Sequence, residues 1–204
     1  MMTKTTTVPK NVYELAQERL RIVFNEFDNV YLSFSGGKDS GVLLSLCIDY
    51  IRRNNLKIKL GVFHMDYEIQ YKMTIDYIAR MLEDNKDILE VYRVCVPFRV
   101  ATCTSMYQSF WRPWEDSKKD LWVRPLPENA MTKEDFPFYN TQMWDYEFQM
   151  RFASWLHEKK DAVRTCCLIG IRTQESFNRW RCIYLNRKYQ MYHLYRWTSK
   201  VGND

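Results

Sequence analysis

The chain has 204 residues, with 30 Lys and Arg against 25 Asp and Glu and a formal net charge of +5. That length suits one domain with a sizeable core, and 46% hydrophobic with 27% charged residues excludes a disordered or fibrous chain. The charge is local: residues 162–200 hold eight basic side chains against the single acid Glu175, a +7 segment, so the rest of the chain sums to −2.

Residues 9–27 place Val12, Leu15, Ala16, Leu20, Val23 and Phe27 at helical spacing, with Pro9 suited to a first turn. Residues 29–34 read as a strand, 40–53 as a helix, 58–65 as a buried strand, 70–84 as an amphipathic helix and 88–96 as a β-branched, alternating strand. Strands alternating with helices of this length predict βαβ units, an α/β fold on a parallel, Rossmann-like sheet. Residues 97–140 break the pattern. They hold five of the six prolines and Trp111, Trp114 and Trp122, and read as an irregular aromatic insert with short helices, either a cover packed on the sheet or a lid. A helix over 141–160 and a strand over 165–171 follow, and the whole reads as one domain, residues 1–204.

No run of 18 apolar residues is present, so no transmembrane helix is expected. The first seven residues lack the apolar stretch of a secretory signal, which makes the cytoplasm the expected compartment. The six cysteines form no CxxC or CxxH pair, so a local zinc or redox site has no support, and buried, reduced thiols are expected. His64 at a strand end reads as structural.

Three of the six glycines lie in Ser35-Gly36-Gly37-Lys38-Asp39-Ser40-Gly41, between the first strand and the next helix. Two adjacent glycines let the backbone curl so that successive N–H groups point into one concavity, and the helix N-terminus adds partial positive charge. Ser35 and Ser40 add hydroxyls and Lys38 a point charge, so the loop suits a phosphate or sulfate. Asp39 either takes part or caps the helix. The loop is not GxxxxGK[ST], because Gly37-Lys38 is followed by Asp39.

SGGKDS resembles the signature loop of the adenine-nucleotide alpha-hydrolase-like (PP-loop) enzymes, which include N-type ATP pyrophosphatases and phosphoadenosine phosphosulfate (PAPS) reductases. Gly170-Ile171-Arg172-Thr173-Gln174-Glu175-Ser176-Phe177-Asn178-Arg179 resembles the GxRxxxSxxR segment with which PAPS reductases grip the nucleotide. Residues 63–71, containing Asp66 and Glu68, are similar to the family's acidic segment beside the adenosine. With the aromatic insert, the resemblance is closest to PAPS reductase-like prophage co-activators, and it implies a partition-protein-B-like protein partner.

The resemblance implies a nucleotide site of Ser35, Gly36, Gly37, Lys38, Asp39, Ser40, Asp66, Glu68, Gly170, Arg172, Glu175, Ser176 and Arg179, with Lys38, Asp39 and Arg172 closest to the chemistry. Each of the three segments follows an expected strand, so all can converge at the carboxyl end of the sheet. Arg172 and Arg179 suit bidentate contact with phosphate or sulfate. Asp66 or Glu68 suits ribose hydroxyls or a Mg2+ ion held with the phosphates. Glu175 most simply orients a neighbouring arginine.

The departures also matter. The chain ends Val201-Gly202-Asn203-Asp204 without the reductases' Glu-Cys-Gly-Leu-His tail, as a shortened member or a fragment would. Cys166-Cys167 has no companion CxxC, so these cysteines are expected to hold no metal and no iron–sulfur cluster. Three readings stay open. The chain acts on the sulfuryl or phosphoryl group of PAPS or a related nucleotide; or it is an ATP pyrophosphatase adenylating a substrate such as a nucleic-acid base; or it is a regulator that keeps the nucleotide pocket and works through a protein partner. In the second reading the basic, aromatic residues from Trp180 to Lys200 would form a stacking surface.

Overall fold

In the computed structural model the structure describes residues 10–102 and 104–184. Cys103 and the basic, aromatic stretch beyond Tyr184 lie outside the described residues. The order of elements is α1 (Val12–Glu26), β1 (Asn29–Ser33), α2 (Lys38–Arg53), β2 (Leu60–Met65), α3 (Lys72–Glu83), β3 (Leu89–Val94), β4 (Val100–Ala101), β5 (Phe110–Trp111), β6 (Ala130–Met131), α4 (Asp145–Lys159), β7 (Thr165–Ile169) and α5 (Phe177–Tyr184). Short 3-10 turns cover Asp116–Leu121, Lys133–Asp135 and Thr173–Glu175.

Five strands form one sheet in the order β6-β3-β2-β1-β7, every neighbour parallel. Parallel strands need both faces covered, and alternating side chains supply both cores. Leu32, Val62 and Leu89 point toward Leu20 and Val23 of α1, Leu44, Ile48 and Ile51 of α2, and Ile78 and Leu82 of α3. Tyr31, Phe63, Tyr92 and Val94 face the other way, onto Phe148, Phe152 and Leu156 of α4. Phe152 is the centre of this second core: its ring lies 4.1 Å from that of Phe63, stacked, and 5.6 to 5.8 Å from those of Tyr92 and Tyr31, edge on. Such offset and edge contacts add about 0.5–1.5 kcal/mol per pair beyond buried area.

The expected βαβ elements are present, most with ends trimmed by one to three residues. The insert differs from expectation, being more than an irregular cover. β4 and β5 pair as an antiparallel hairpin, and β6 joins the main sheet beside β3. Phe98 and Phe136 of this region are fully buried against α4, so it supplies core as well as covering it. No helix among the described residues is long and apolar enough to cross a membrane.

Candidate functional site

The strand order runs outward from β1 through β2 and β3 to β6, then returns across β1 to β7. The switch in order therefore falls between β1 and β7, where the loops leaving the two strands part toward opposite faces and open a crevice. Ser35–Ser40 leaves β1 and Gly170–Arg179 leaves β7, so two of the three expected segments meet there.

The loop is built as its sequence requires. Gly36 sits at φ +77°, the left-handed region, and a Cβ there would fall 2.7 Å from Ile78 Cδ1. Gly37 is the N-cap of α2 and offers no side chain to cap it, so the first-turn N–H groups of Lys38 and Asp39 are left for an anion. The Ser40 hydroxyl donates to the Gly37 carbonyl at 3.0 Å, so in the 3.1 Å contact between the two serines it is the Ser35 hydroxyl that donates. The Gly37 N–H in turn donates to Ser35 Oγ at 3.3 Å. This closed ring fixes the curl of the backbone. Lys38, exposed at the start of α2, has no carboxylate partner among the described residues. It lines the upper end of an open groove of about 670 Å³ that runs down α2 past Val42, Ser45 and Asp49 and is walled by Tyr13 and Tyr77. The groove lies beside the glycine loop, sharing with it only Lys38 and Gly41.

Gly170 explains how the second segment is set against the first. A Cβ on it would lie 2.8 Å from the carbonyl carbon and oxygen of Asp39, so only glycine lets the two backbones touch. That contact brings Arg172 Nε to 3.1 Å from Asp39 Oδ2 and 3.9 Å from Glu175 Oε1, while Arg179 pairs with the other Glu175 oxygen. Asp39 is thus the second residue of α2, paired with an arginine, not its cap. Ser176 Oγ accepts the Arg179 N–H at 3.2 Å, which gives this serine the work of opening α5.

The third segment is placed differently from its expectation. Asp66 is fully buried, and both its oxygens are taken: Oδ2 by Arg93 Nε and Nη2 at 3.1 and 3.0 Å, Oδ1 by Arg124 and by the Glu68 N–H at 2.9 Å. Glu68, in the left-handed region at φ 65°, accepts the Trp114 N–H at 2.8 Å and the Val123 N–H at 3.1 Å, one on each oxygen. The Trp114 indole N–H donates to the Asp66 carbonyl at 2.7 Å, and Arg124 lies 4.8 Å above the Trp114 ring. In place of ribose contacts these carboxylates clasp the insert to the end of β2. No free carboxylate oxygen remains on either for a Mg2+ ion, so the donors do not fit the expected metal role. Among the described residues no group of three or more His, Cys, Asp or Glu could hold a metal. The anchors Arg93 and Arg124 were not singled out from sequence, and Trp114 was named only as part of the aromatic insert. The visible signal was Arg93, a charge near the end of a largely apolar strand that also carries Glu90.

His64 is fully buried, with Nδ1 2.8 Å from the Phe34 carbonyl oxygen. Burial lowers its pKa, only partly offset by that contact and by Asp66. Burial likewise pushes the thiols of Cys47, Cys95 and Cys166 up to about 12 and that of Cys167 to about 11. All four are therefore protonated at neutral pH and poor nucleophiles.

An open parallel sheet with a glycine loop at its switch point is the architecture of a nucleotide-binding α/β protein. Residues 29–198 match the family model described as the phosphoadenosine phosphosulfate reductase domain, and the chain belongs to that family. The uncharacterized protein YbdN of Escherichia coli (strain K12) is 36% identical over 194 residues, which take in 94% of this chain and 46% of that protein. The chain thus spans about half the length of the curated relative it matches. Among solved structures, the U34-tRNA thiolase NcsA from Methanococcus maripaludis with its [4Fe-4S] cluster aligns over 86% of this chain and 51% of its own, at 14% identity and a TM-score of 0.43. The NH3-dependent NAD synthetase from Campylobacter jejuni aligns over 41% of this chain and 36% of its own, at 21% identity and a TM-score of 0.30.

Proposed function

We propose that this chain binds an adenine nucleotide by its anionic groups in the crevice between β1 and β7, and acts on the sulfuryl or phosphoryl group of PAPS or a related nucleotide. The observation that carries this reading is the Gly170–Asp39 contact, which sets Arg172 at 3.1 Å from a residue of the glycine loop, over an α2 N-terminus that no side chain caps. Lys38, the first-turn N–H groups of α2 and the two arginines then supply convergent donors for a multiply charged anion.

A melting series with ATP, PAPS and adenosine 3′,5′-bisphosphate tests it. A ligand that binds only the native state raises the melting temperature, and a larger shift with the 3′-phosphorylated ligands selects PAPS over ATP. Indifference to all three overturns the reading. Lys38→Ala and Arg172→Ala should each sharply reduce the shift in a chain that remains folded.

A second reading draws support from the thiols. With Cys47, Cys95 and Cys166 buried, Cys167 partly buried and all four thiols pushed up in pKa, none of these is suited to attack a sulfuryl group. Among the described thiols, then, none is poised for sulfuryl attack, which favours a chain that binds the nucleotide as a regulator; a partition-protein-B-like partner is what the sequence resemblance adds to that reading. Release of sulfite from PAPS with a thiol reductant would eliminate this reading. Release of pyrophosphate from ATP would instead favour adenylation.

A further inference from the structure

Four charged side chains form a chain across the crevice: Asp39, Arg172, Glu175 and Arg179. The two arginine side chains are about half exposed, at 50% and 48%, whereas those of Asp39 and Glu175 are only 26% and 21% exposed. The guanidinium groups thus face outward and the carboxylates sit beneath them. The backbone of each acid is anchored. Asp39 belongs to the first turn of α2 and its backbone abuts Gly170. Glu175 closes the 3-10 turn Thr173–Glu175, with its N–H donating to the Arg172 carbonyl at 3.3 Å.

A carboxylate meets a guanidinium with the same planar fork of oxygens that a phosphate or sulfate presents. We infer that Asp39 and Glu175 are internal stand-ins for the ligand's anionic groups: they hold Arg172 and Arg179 aligned and neutralised, and an incoming nucleotide must displace them. This rests on the nucleotide reading above; it gives Glu175 the arginine-orienting role expected of it and adds that both acids occupy the ligand's place. Half-exposed ion pairs are weak, so the exchange is affordable for a ligand that also gains the α2 N-terminus and Lys38. It still lowers the apparent affinity, because the competent arrangement of the arginines is only part of the population.

The test is a binding cycle with adenosine 3′,5′-bisphosphate, measured by calorimetry on the wild type, Glu175→Gln, Arg179→Ala and the double variant. Gln keeps the size of Glu and removes the competing charge. Glu175→Gln should bind about two- to fivefold more tightly, the range open to an exposed ion pair. The gain should shrink when Arg179 is already Ala, leaving only what Glu175 exerts through the more distant Arg172, because Glu175 and Arg179 act through each other. Unchanged or weaker binding by Glu175→Gln overturns the inference and leaves the nucleotide reading standing. An equal gain with and without Arg179 also overturns it, since it would report only the charge of the crevice. If the wild type binds neither this ligand nor ATP, the nucleotide reading fails and the inference falls with it.

Discussion

The ends of β1 and β2 lie side by side in the sheet, and each carries charged residues on the segment that follows it, yet they are built on opposite plans. After β2, Asp66 and Glu68 are buried and all four of their carboxylate oxygens accept hydrogen bonds. After β1, the helix N-terminus is uncapped, Lys38 has no carboxylate partner among the described residues, and the facing arginines are half exposed. A buried charge left without partners costs several kcal/mol, so saturation is the signature of architecture. Unsatisfied donors at a solvent-facing crevice are the signature of a place where something binds.

The contrast breaks most readily at Asp66. Asp66→Ala leaves Arg93 and Arg124 facing each other in a buried site, and should cost about 3–5 kcal/mol of stability, read as a fall in the denaturation midpoint. A loss below about 1 kcal/mol would show that the β2 end is no more committed to structure than the surface. Gly36→Ala comes next. A methyl at φ +77° and 2.7 Å from Ile78 should cost roughly 1–2 kcal/mol and weaken nucleotide binding as well, so calorimetric affinity and melting temperature should fall together.

His64 sharpens the comparison through pH. Its folded pKa is lowered below the ordinary 6.5 by burial, with Asp66, Arg93 and Arg124 as its charged neighbours. The unfolded chain therefore binds the proton more readily, and the stability contributed by neutral His64 is present above pH 6.5 and lost as pH falls below it. His64→Phe should flatten that part of the stability-against-pH curve, and an unchanged slope would assign it to other groups. The smallest effect on stability belongs to the β1 end. Lys38→Ala should stay within about 0.5 kcal/mol of the wild type in denaturant while losing about tenfold or more in nucleotide affinity.

Local chemistry was legible in the sequence and long-range chemistry was not. The alternation of strand and helix, the curl at Gly36-Gly37 and the helix that follows depend on neighbours within one or two turns, and period and glycine placement announce them. The clasp on Asp66 and Glu68 depends on Trp114, Val123 and Arg124, 46 to 58 residues away from their partners in the chain. Nothing in an acidic segment says whether its carboxylates will meet a ribose or a returning loop. The same holds for Arg172, whose approach to Asp39 is dictated by a missing Cβ at Gly170. Its glycine was noted as part of a motif, but the backbone contact it permits is a property of the folded chain. β6 was illegible for another reason, since Ala130 and Met131 are too few to show any period.

Those two residues decide what can be cut from this molecule. β3 runs six residues, and β6 covers only its last two, pairing Ala130 with Arg93 and Met131 with Val94. Trimming the insert away to obtain a smaller nucleotide-binding unit would bare that final stretch of backbone along with the aromatic wall behind it. An uncovered strand edge recruits other strands, so the shortened chain should be lost to aggregation before its crevice could be assayed.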